Sequence, residues 1–276
     1  MRKAKDKTLK FLMSLCAAVT CLLLIGLIGY MLYRGIPGIN AKFLTTQTSY
    51  ISDSIGILPN ILNTLYLIVL VMIIVVPLGV GAAVYLTEYA STKRISNTIG
   101  FAVETLTGIP SIIFGLVGML FFTQILGLRQ GILAGSLTLI IMVLPTVISN
   151  TKESLLAVPQ SYREGALALG SGKWHMVRTV VLPNAVDGIV TGCILAVGRV
   201  VGESAALLFT AGFGLKLLGF AEALQSSAAS LTVALYIYAS EEGKFDVAFS
   251  IAVILICITL IINLAASLVG KKVRKS

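Results

Sequence analysis

Apolar residues fall along this chain in six long blocks, at 11–33, 59–87, 98–126, 132–150, 186–212 and 245–270, with polar stretches between them. A helix crosses the hydrocarbon core of a bilayer with about 20 mostly apolar residues. Each block is near or above that length, so the pattern predicts an all-α membrane protein with six transmembrane helices. The first block follows a basic segment, residues 1–10. It is too long for the core of a cleaved signal peptide, and no small-residue cleavage site follows promptly, so it reads as a span. Prolines interrupt three blocks, at Pro77, Pro110 and Pro145. Each removes a backbone hydrogen bond and predicts a kink, whose freed carbonyls need partners in the bundle or in a wet cavity. The block at 98–126 is the most interrupted, because Gly115 and Gly118 follow Pro110.

Composition agrees. The 276 residues are 57% hydrophobic and 12% charged, with mean hydropathy +0.97. A soluble domain cannot hide that much apolar surface, so the chain is an integral membrane protein. Its four cysteines, Cys16, Cys21, Cys193 and Cys257, lie in apolar runs without metal-ligand spacing, and His175 is its single histidine. No disulfide framework, Cys/His metal site or catalytic histidine pair is expected.

The formal net charge of +9 raises nucleic-acid binding, but its distribution argues otherwise. With six crossings, both termini share a face. That face collects fifteen of the 21 Lys and Arg residues: the two ends, Lys93, Arg94, Lys152, Arg163, Lys173 and Arg178. The opposite face collects five, and Arg199 lies inside a block. The positive-inside rule then places both termini and the loop 151–183 in the cytoplasm. Topology and anionic lipid account for the charge, with no nucleic acid needed. The expected organisation is a cytoplasmic N-terminus at 1–10, a six-span domain at 11–270 and a cytoplasmic tail at 271–276.

The longest polar interruption in the second half, 161–183, is rich in Ala, Leu and Glu, with Gly170 and Gly172 at its centre. This predicts a helix over 162–169, a glycine turn, and a second short helix ending before Pro183. A two-helix knob in a cytoplasmic loop is a shape for a soluble partner to grip.

The fifth block carries two small-xxx-small pairs, Gly188 with Gly192 and Gly198 with Gly202, which allow close helix approach. It also carries Arg199 and Glu203, four apart and expected on one helix face near mid-span. A charge there costs about 2.5–3.5 kcal/mol on insertion scales, so it is kept where it is paired or used. A guanidinium fork fits a tetrahedral oxyanion. On that reading Arg199 lines an anion path and Glu203 holds it when the path is empty. The alternative is a structural ion pair locking helices or subunits. Glu104, also well inside a block, is a candidate partner for Arg199 across helices.

Glu164, Ala166, Gly170, Val180, Leu182 and Pro183 resemble the coupling-loop pattern of the membrane subunits of binding-protein-dependent ABC importers, with Gly165 where Ala is usual. A narrower resemblance covers nearly the whole chain. The tetrapeptide 182–185, Thr191-Gly192, and the runs 198–212, 85–90 and 108–115 are similar to the A-type permease subunits of phosphate importers, with Ser204 where Thr is usual.

The resemblance implies a type I ABC importer permease fold with a cytoplasmic coupling helix, in the bacterial cytoplasmic (inner) membrane. It implies a homologous C-type permease subunit, two copies of a cytoplasmic ATPase and an external phosphate-binding protein as partners. Glu164, Ala166, Gly170, Trp174, Arg178, Leu182 and Pro183 would engage the ATPase, and Arg199, Glu203, Glu104 and Ser204 would line the substrate path. Trp174 alternatively reads as an interfacial anchor. ATP and Mg are expected on the ATPase, since this chain has no GxxxxGK[ST] motif. The chain itself is expected to be a transport subunit rather than an enzyme, with no cofactor and no metal of its own. The loop 213–244, helix-like over 221–238 and acidic at Glu241, Glu242 and Asp246, is expected to meet the binding protein. The implied activity is import of inorganic phosphate by alternating access. Another oxyanion, sulfate or molybdate, is the alternative within the family, and a passive channel is the alternative outside it.

Overall fold

The computed structural model describes residues 2–49, 54–90 and 93–275. Of the side chains in the charge count, those of Arg2, Lys3, Lys5, Lys93, Lys271, Lys272, Arg274 and Lys275 lie outside the described residues. Helix α1 (Arg2–Gly35) leads through a tight turn into α2 (Ala41–Thr45), where the Asn40 side chain accepts from the Phe43 N–H. A small antiparallel hairpin follows, β1 (Gln47–Ser49) against β2 (Ser54–Ile57), with Gln47 opposite Ile57 and Ser49 opposite Ser54. Helix α3 (Leu58–Val84) begins with Pro59 in its first turn, where a missing N–H costs nothing, and it ends in a π turn at Tyr85–Tyr89.

Helices α4 (Lys93–Thr107) and α5 (Ser111–Gly118) come next, then α6 (Ile132–Leu156). The cytoplasm-assigned loop forms α7 (Gln160–Ala168) and α8 (Lys173–Met176). Helices α9 (Leu182–Gly202), α10 (Ala205–Thr210), α11 (Phe220–Ala223), α12 (Leu231–Tyr236) and α13 (Phe245–Lys275) complete the chain.

Among the described residues, five helices are long and apolar enough to cross a membrane: Asp6–Gly38, Leu58–Tyr89, Ile132–Leu156, Lys173–Gly202 and Phe245–Leu268. The remaining block is a broken pair, Thr98–Thr107 and Ser111–Ile125, bent by 99°. The expected kink is thus a sharp corner. Pro110 has no N–H to continue α4 and biases its predecessor out of the helical region, so it becomes the extended cap of α5.

The core lies where α3, α6 and α9 pack on one another, closed by α12 and α13. Leu67, Val71 and Val75 meet Leu139, Met142 and Val143, with Ala196, Val200 and Ile251 alongside, all buried. In contrast, α1 is exposed from Asp6 to Tyr30. Its C-terminal end is anchored. The Tyr30 and Phe249 rings meet edge-on at 5.5 Å, Arg34 pairs with Asp246 at 3.4 Å, and the Ser250 hydroxyl donates to the Gly35 carbonyl at 2.9 Å.

Two expectations about connections change. The second hairpin helix does not stop before Pro183. From Lys173 the chain stays helical to Gly202, because a π turn at Val177–Val181 widens the backbone just ahead of Pro183. The Asn184 side chain donates to the Val180 carbonyl there at 2.7 Å, supplying a donor beside the one that proline lacks. The stretch 221–238 is not one external helix either. After α11 the chain extends and dives into the bundle, so that Ala228, Ala229, Ser230 and Leu231 are buried.

That dive carries its own hydrogen bonds. Asn60 and Asn63 both donate to the Ala229 carbonyl at 3.1 Å, the Leu231 N–H donates to the Thr64 hydroxyl at 2.9 Å, and Ser230 caps α12 through the Val233 N–H. Irregular backbone inside a membrane bundle requires such partners.

Candidate functional site

The hairpin 160–181 is built around Gly170, whose φ is +79°. The Ser171 N–H donates to the Ala166 carbonyl at 3.1 Å and the Gly170 N–H to the Leu167 carbonyl at 3.0 Å. This is a Schellman stop, and it needs a left-handed residue at that position. Apart from Arg163, the buried side of the hairpin is apolar: Met176, Val177, Val181 and Ala185 pack on Ala83, Val84, Leu155 and Val158, with Ala166 and Leu182 half-buried beside them. The other side presents Tyr162, Glu164, Leu167, Leu169, Trp174, Arg178 and Pro183 to the outside. Leu169 is 91% exposed and Trp174 59% exposed. Large apolar side chains held out on a capped turn are available to a partner or to the membrane interface rather than to a core. Trp174 also borders an apolar recess lined by Pro77, Val80, Tyr85, Tyr89 and Leu182.

One hairpin residue that the sequence marked only as a positive charge is central. Arg163 is buried, and its guanidinium donates to the Glu88 carboxylate, to the Val158 carbonyl at 2.7 Å and to the Leu155 carbonyl at 2.7 Å. The ion pair with Glu88 is 2.9 Å long. No local pattern announces this pairing, since its acid is 75 residues away.

At the far end of α9, Arg199 and Glu203 part company. The helix ends at Gly202, and Glu203 is extended, with φ −82° and ψ 121°. Its carboxylate turns forward and accepts from the Ala206 N–H at 3.0 Å, capping α10. Spacing by four places two residues on one face only while the helix continues, so the expected Arg199–Glu203 pair does not form. Arg199, in the last turn of α9, donates to the Thr146 hydroxyl at 3.3 Å. Among the described residues it forms no ion pair with Glu203 or Glu104. Ser204 is half-buried in the break itself. The Thr232 hydroxyl lies 3.0 Å from the Val201 carbonyl and 3.1 Å from the Glu203 carbonyl, tying the break to α12. Glu104 is exposed on α4 and lines a separate cavity of 170 Å³ with Ser149, Lys152 and Glu153. The structure therefore joins Arg199 to Thr146, leaves Glu203 and Ser204 at the helix break that follows, and places Glu104 in a separate cavity.

The two glycine pairs of α9 behave differently. A Cβ on Gly188 would strike the Ser154 hydroxyl, and one on Gly192 would lie 2.9 Å from the Asn150 Cβ. This pair seats α9 on a polar column of α6, Thr146, Asn150 and Ser154, that leads to Arg199. A Cβ on Gly198 or Gly202 would meet nothing within 4 Å among the described residues outside the helix's own backbone, so this pair seats α9 on no other described element.

The architecture is that of type I ABC importer permeases. The fold matches the membrane chain of a bacterial alginate ABC transporter, in complex with an alginate pentasaccharide-bound periplasmic protein, with TM-score 0.70 and 17% identity over 100% of this chain and 98% of that one. It matches an inward-facing MetNI methionine ABC transporter with TM-score 0.60 and 21% identity over 79% and 94%. The chain belongs to the family of binding-protein-dependent transport system inner membrane components, whose profile matches residues 75–275. It is thus a multi-pass inner-membrane subunit of an ABC importer.

Its similarity to a probable ABC transporter permease protein, YqgI, of Bacillus subtilis is 36% identity over 287 residues, covering 99% of this chain and 98% of that protein. It is 36% identical over 199 residues to the phosphate transport system permease protein PstA 1 of Mycobacterium tuberculosis, covering 71% and 64% of the two chains. It is 35% identical over 181 residues to PstA of Xylella fastidiosa, covering 66% and 63%.

Proposed function

We propose that this subunit carries inorganic phosphate into the cytoplasm by alternating access, driven by a separate ATPase. The observation that carries the reading is Arg199. It is a half-buried guanidinium at a helix break, with no acidic partner among the described residues. A cation left without an acid inside a membrane bundle is matched to an anion that passes, and the planar fork suits a tetrahedral oxyanion. Thr146 and Ser204 add hydroxyls that donate or accept as phosphate changes protonation. The similarity to phosphate permeases supports the same substrate.

In this reading a homologous permease subunit completes the path, with the open Gly198 and Gly202 available for close approach. The binding protein delivers substrate at the face formed by 213–227 and 239–244, the parts of that loop outside the bundle. The ATPases hold ATP and Mg, and grip the exposed hairpin side chains, with Glu164 and Leu169 at the tip and Trp174 and Arg178 at the rim. Both termini lie with the hairpin in the cytoplasm.

The test is ATP-dependent phosphate uptake into proteoliposomes holding the complete transporter. Arg199→Gln is expected to reduce uptake roughly 10–100-fold, the value of one charge-assisted hydrogen bond. Unchanged uptake in Arg199→Ala removes this residue from the path. Competition by sulfate or molybdate as strong as by phosphate reassigns the substrate. Anion flux through the purified chain without an ATPase refutes the importer.

A further inference from the structure

The hairpin is joined to the transport helices by a two-pronged clamp, and both prongs close on the same short segment. That segment is the π turn Tyr85–Tyr89 at the end of α3. From α7, Arg163 reaches Glu88 at 2.9 Å, with side chains only 10% and 6% exposed. From α8, the Lys173 ammonium sits 5.1 Å from the centre of the Tyr89 ring. The guanidinium also takes the Leu155 carbonyl, in the last turn of α6, and the Val158 carbonyl just beyond it. A cation there adds a donor to carbonyls at a helix end, and it complements the helix dipole.

One side chain thereby ties the hairpin to the ends of two core helices, α3 and α6. A fork with fixed geometry does this, and a flexible ammonium does not. The buried setting makes the link stiff, because separating the partners would leave a charge without solvent. The apolar contacts beneath the hairpin are non-directional, and the clamp adds directional contacts that fix its register against the end of α3.

We propose that Glu88 and Arg163, seconded by Tyr89 and Lys173, are the positioning residues through which motion of the hairpin is delivered to α3 and α6. The inference rests on the importer reading, in which force enters at the hairpin. Without the clamp, the ATPase still binds the exposed hairpin and hydrolyses ATP, but the hairpin moves against the bundle rather than with it.

The experiment measures ATP hydrolysis and phosphate uptake together, in proteoliposomes of the complete transporter. Glu88→Gln and Arg163→Lys are expected to leave hydrolysis within about twofold of wild type. Uptake per ATP is expected to fall roughly tenfold to a hundredfold, the scale on which a remote displacement of about 1 Å acts. The double variant Glu88→Gln with Arg163→Lys is expected to lose no more than the worse single variant, since the two residues act as one unit. The exchange Glu88→Arg with Arg163→Glu is expected to fail, because a carboxylate at 163 faces two carbonyls. Tyr89→Leu and Lys173→Ala disturb no buried charge and guard against misfolding; each is expected to lower uptake per ATP by about twofold to fivefold. Uptake per ATP unchanged in all of these variants overturns the clamp. So does a loss of hydrolysis and uptake in equal proportion. A wild-type transporter without ATP-dependent phosphate uptake overturns the functional reading first, and is told apart by needing no variant.

Discussion

Three glycines of the hairpin should respond to alanine in three different ways. Gly170 has φ +79°, a conformation that costs an L-residue about 1–2 kcal/mol. Space is not the obstacle there, since a Cβ would meet nothing within 4 Å. The penalty falls on the Schellman stop that holds Ser171 to Ala166 and Gly170 to Leu167. Opening of the turn should therefore become roughly fivefold to thirtyfold more frequent in Gly170→Ala. Gly172 has φ −69° and ψ 152°, also with nothing near, so Gly172→Ala should stay within about twofold of wild type. Gly165 lies inside α7 with open space around it, so Gly165→Ala should stabilise the helix by about 0.5–1 kcal/mol.

Hydrogen exchange read by mass spectrometry on peptides covering 160–172, with the protein in nanodiscs, measures all three. The expected order of exchange is Gly170→Ala fastest, then wild type with Gly172→Ala, then Gly165→Ala. Equal exchange in Gly170→Ala and Gly172→Ala would refute the argument, because only backbone conformation separates the two sites. Gly170→Asn adds a check and should fall between wild type and Gly170→Ala, as Asn tolerates the left-handed region better.

Other predictions follow from packing. Gly192→Leu should prevent α9 from seating on Asn150 and lower the yield of assembled transporter, read by size-exclusion chromatography, whereas Gly198→Ala should leave this chain's own folding unchanged. Thr64→Val keeps the shape but leaves the Leu231 N–H unpaired in a buried site, at about 1–3 kcal/mol, and should lower the thermal unfolding midpoint.

Much of the architecture was legible because its causes are local. Hydropathy marks the spans wherever lipid or a core must receive apolar side chains, and the hairpin announces itself through helix formers on either side of a glycine stop. Pro110 told of a disturbance but not of its size, because the corner angle depends on how α5 packs against α10. There Gly115 lets the Ala206 backbone approach, and a Cβ would lie 2.7 Å from the Ala206 Cα.

What the tertiary structure alone decided concerns partners distant in the chain. The spacing of Arg199 and Glu203 implied a pair only for a continuous helix, and the stop at Gly202 sends the carboxylate forward to Ala206 instead. Glu104 and Arg199 share the apolar interior of the sequence but not a site, since Glu104 meets α6 around Lys152 while Arg199 meets it at Thr146. Arg163 looked like one of many positive charges until folding brought Glu88 and two helix-end carbonyls around it. Sequence patterns record what each segment needs from its surroundings, whereas electrostatic partners are chosen by the packing of helices.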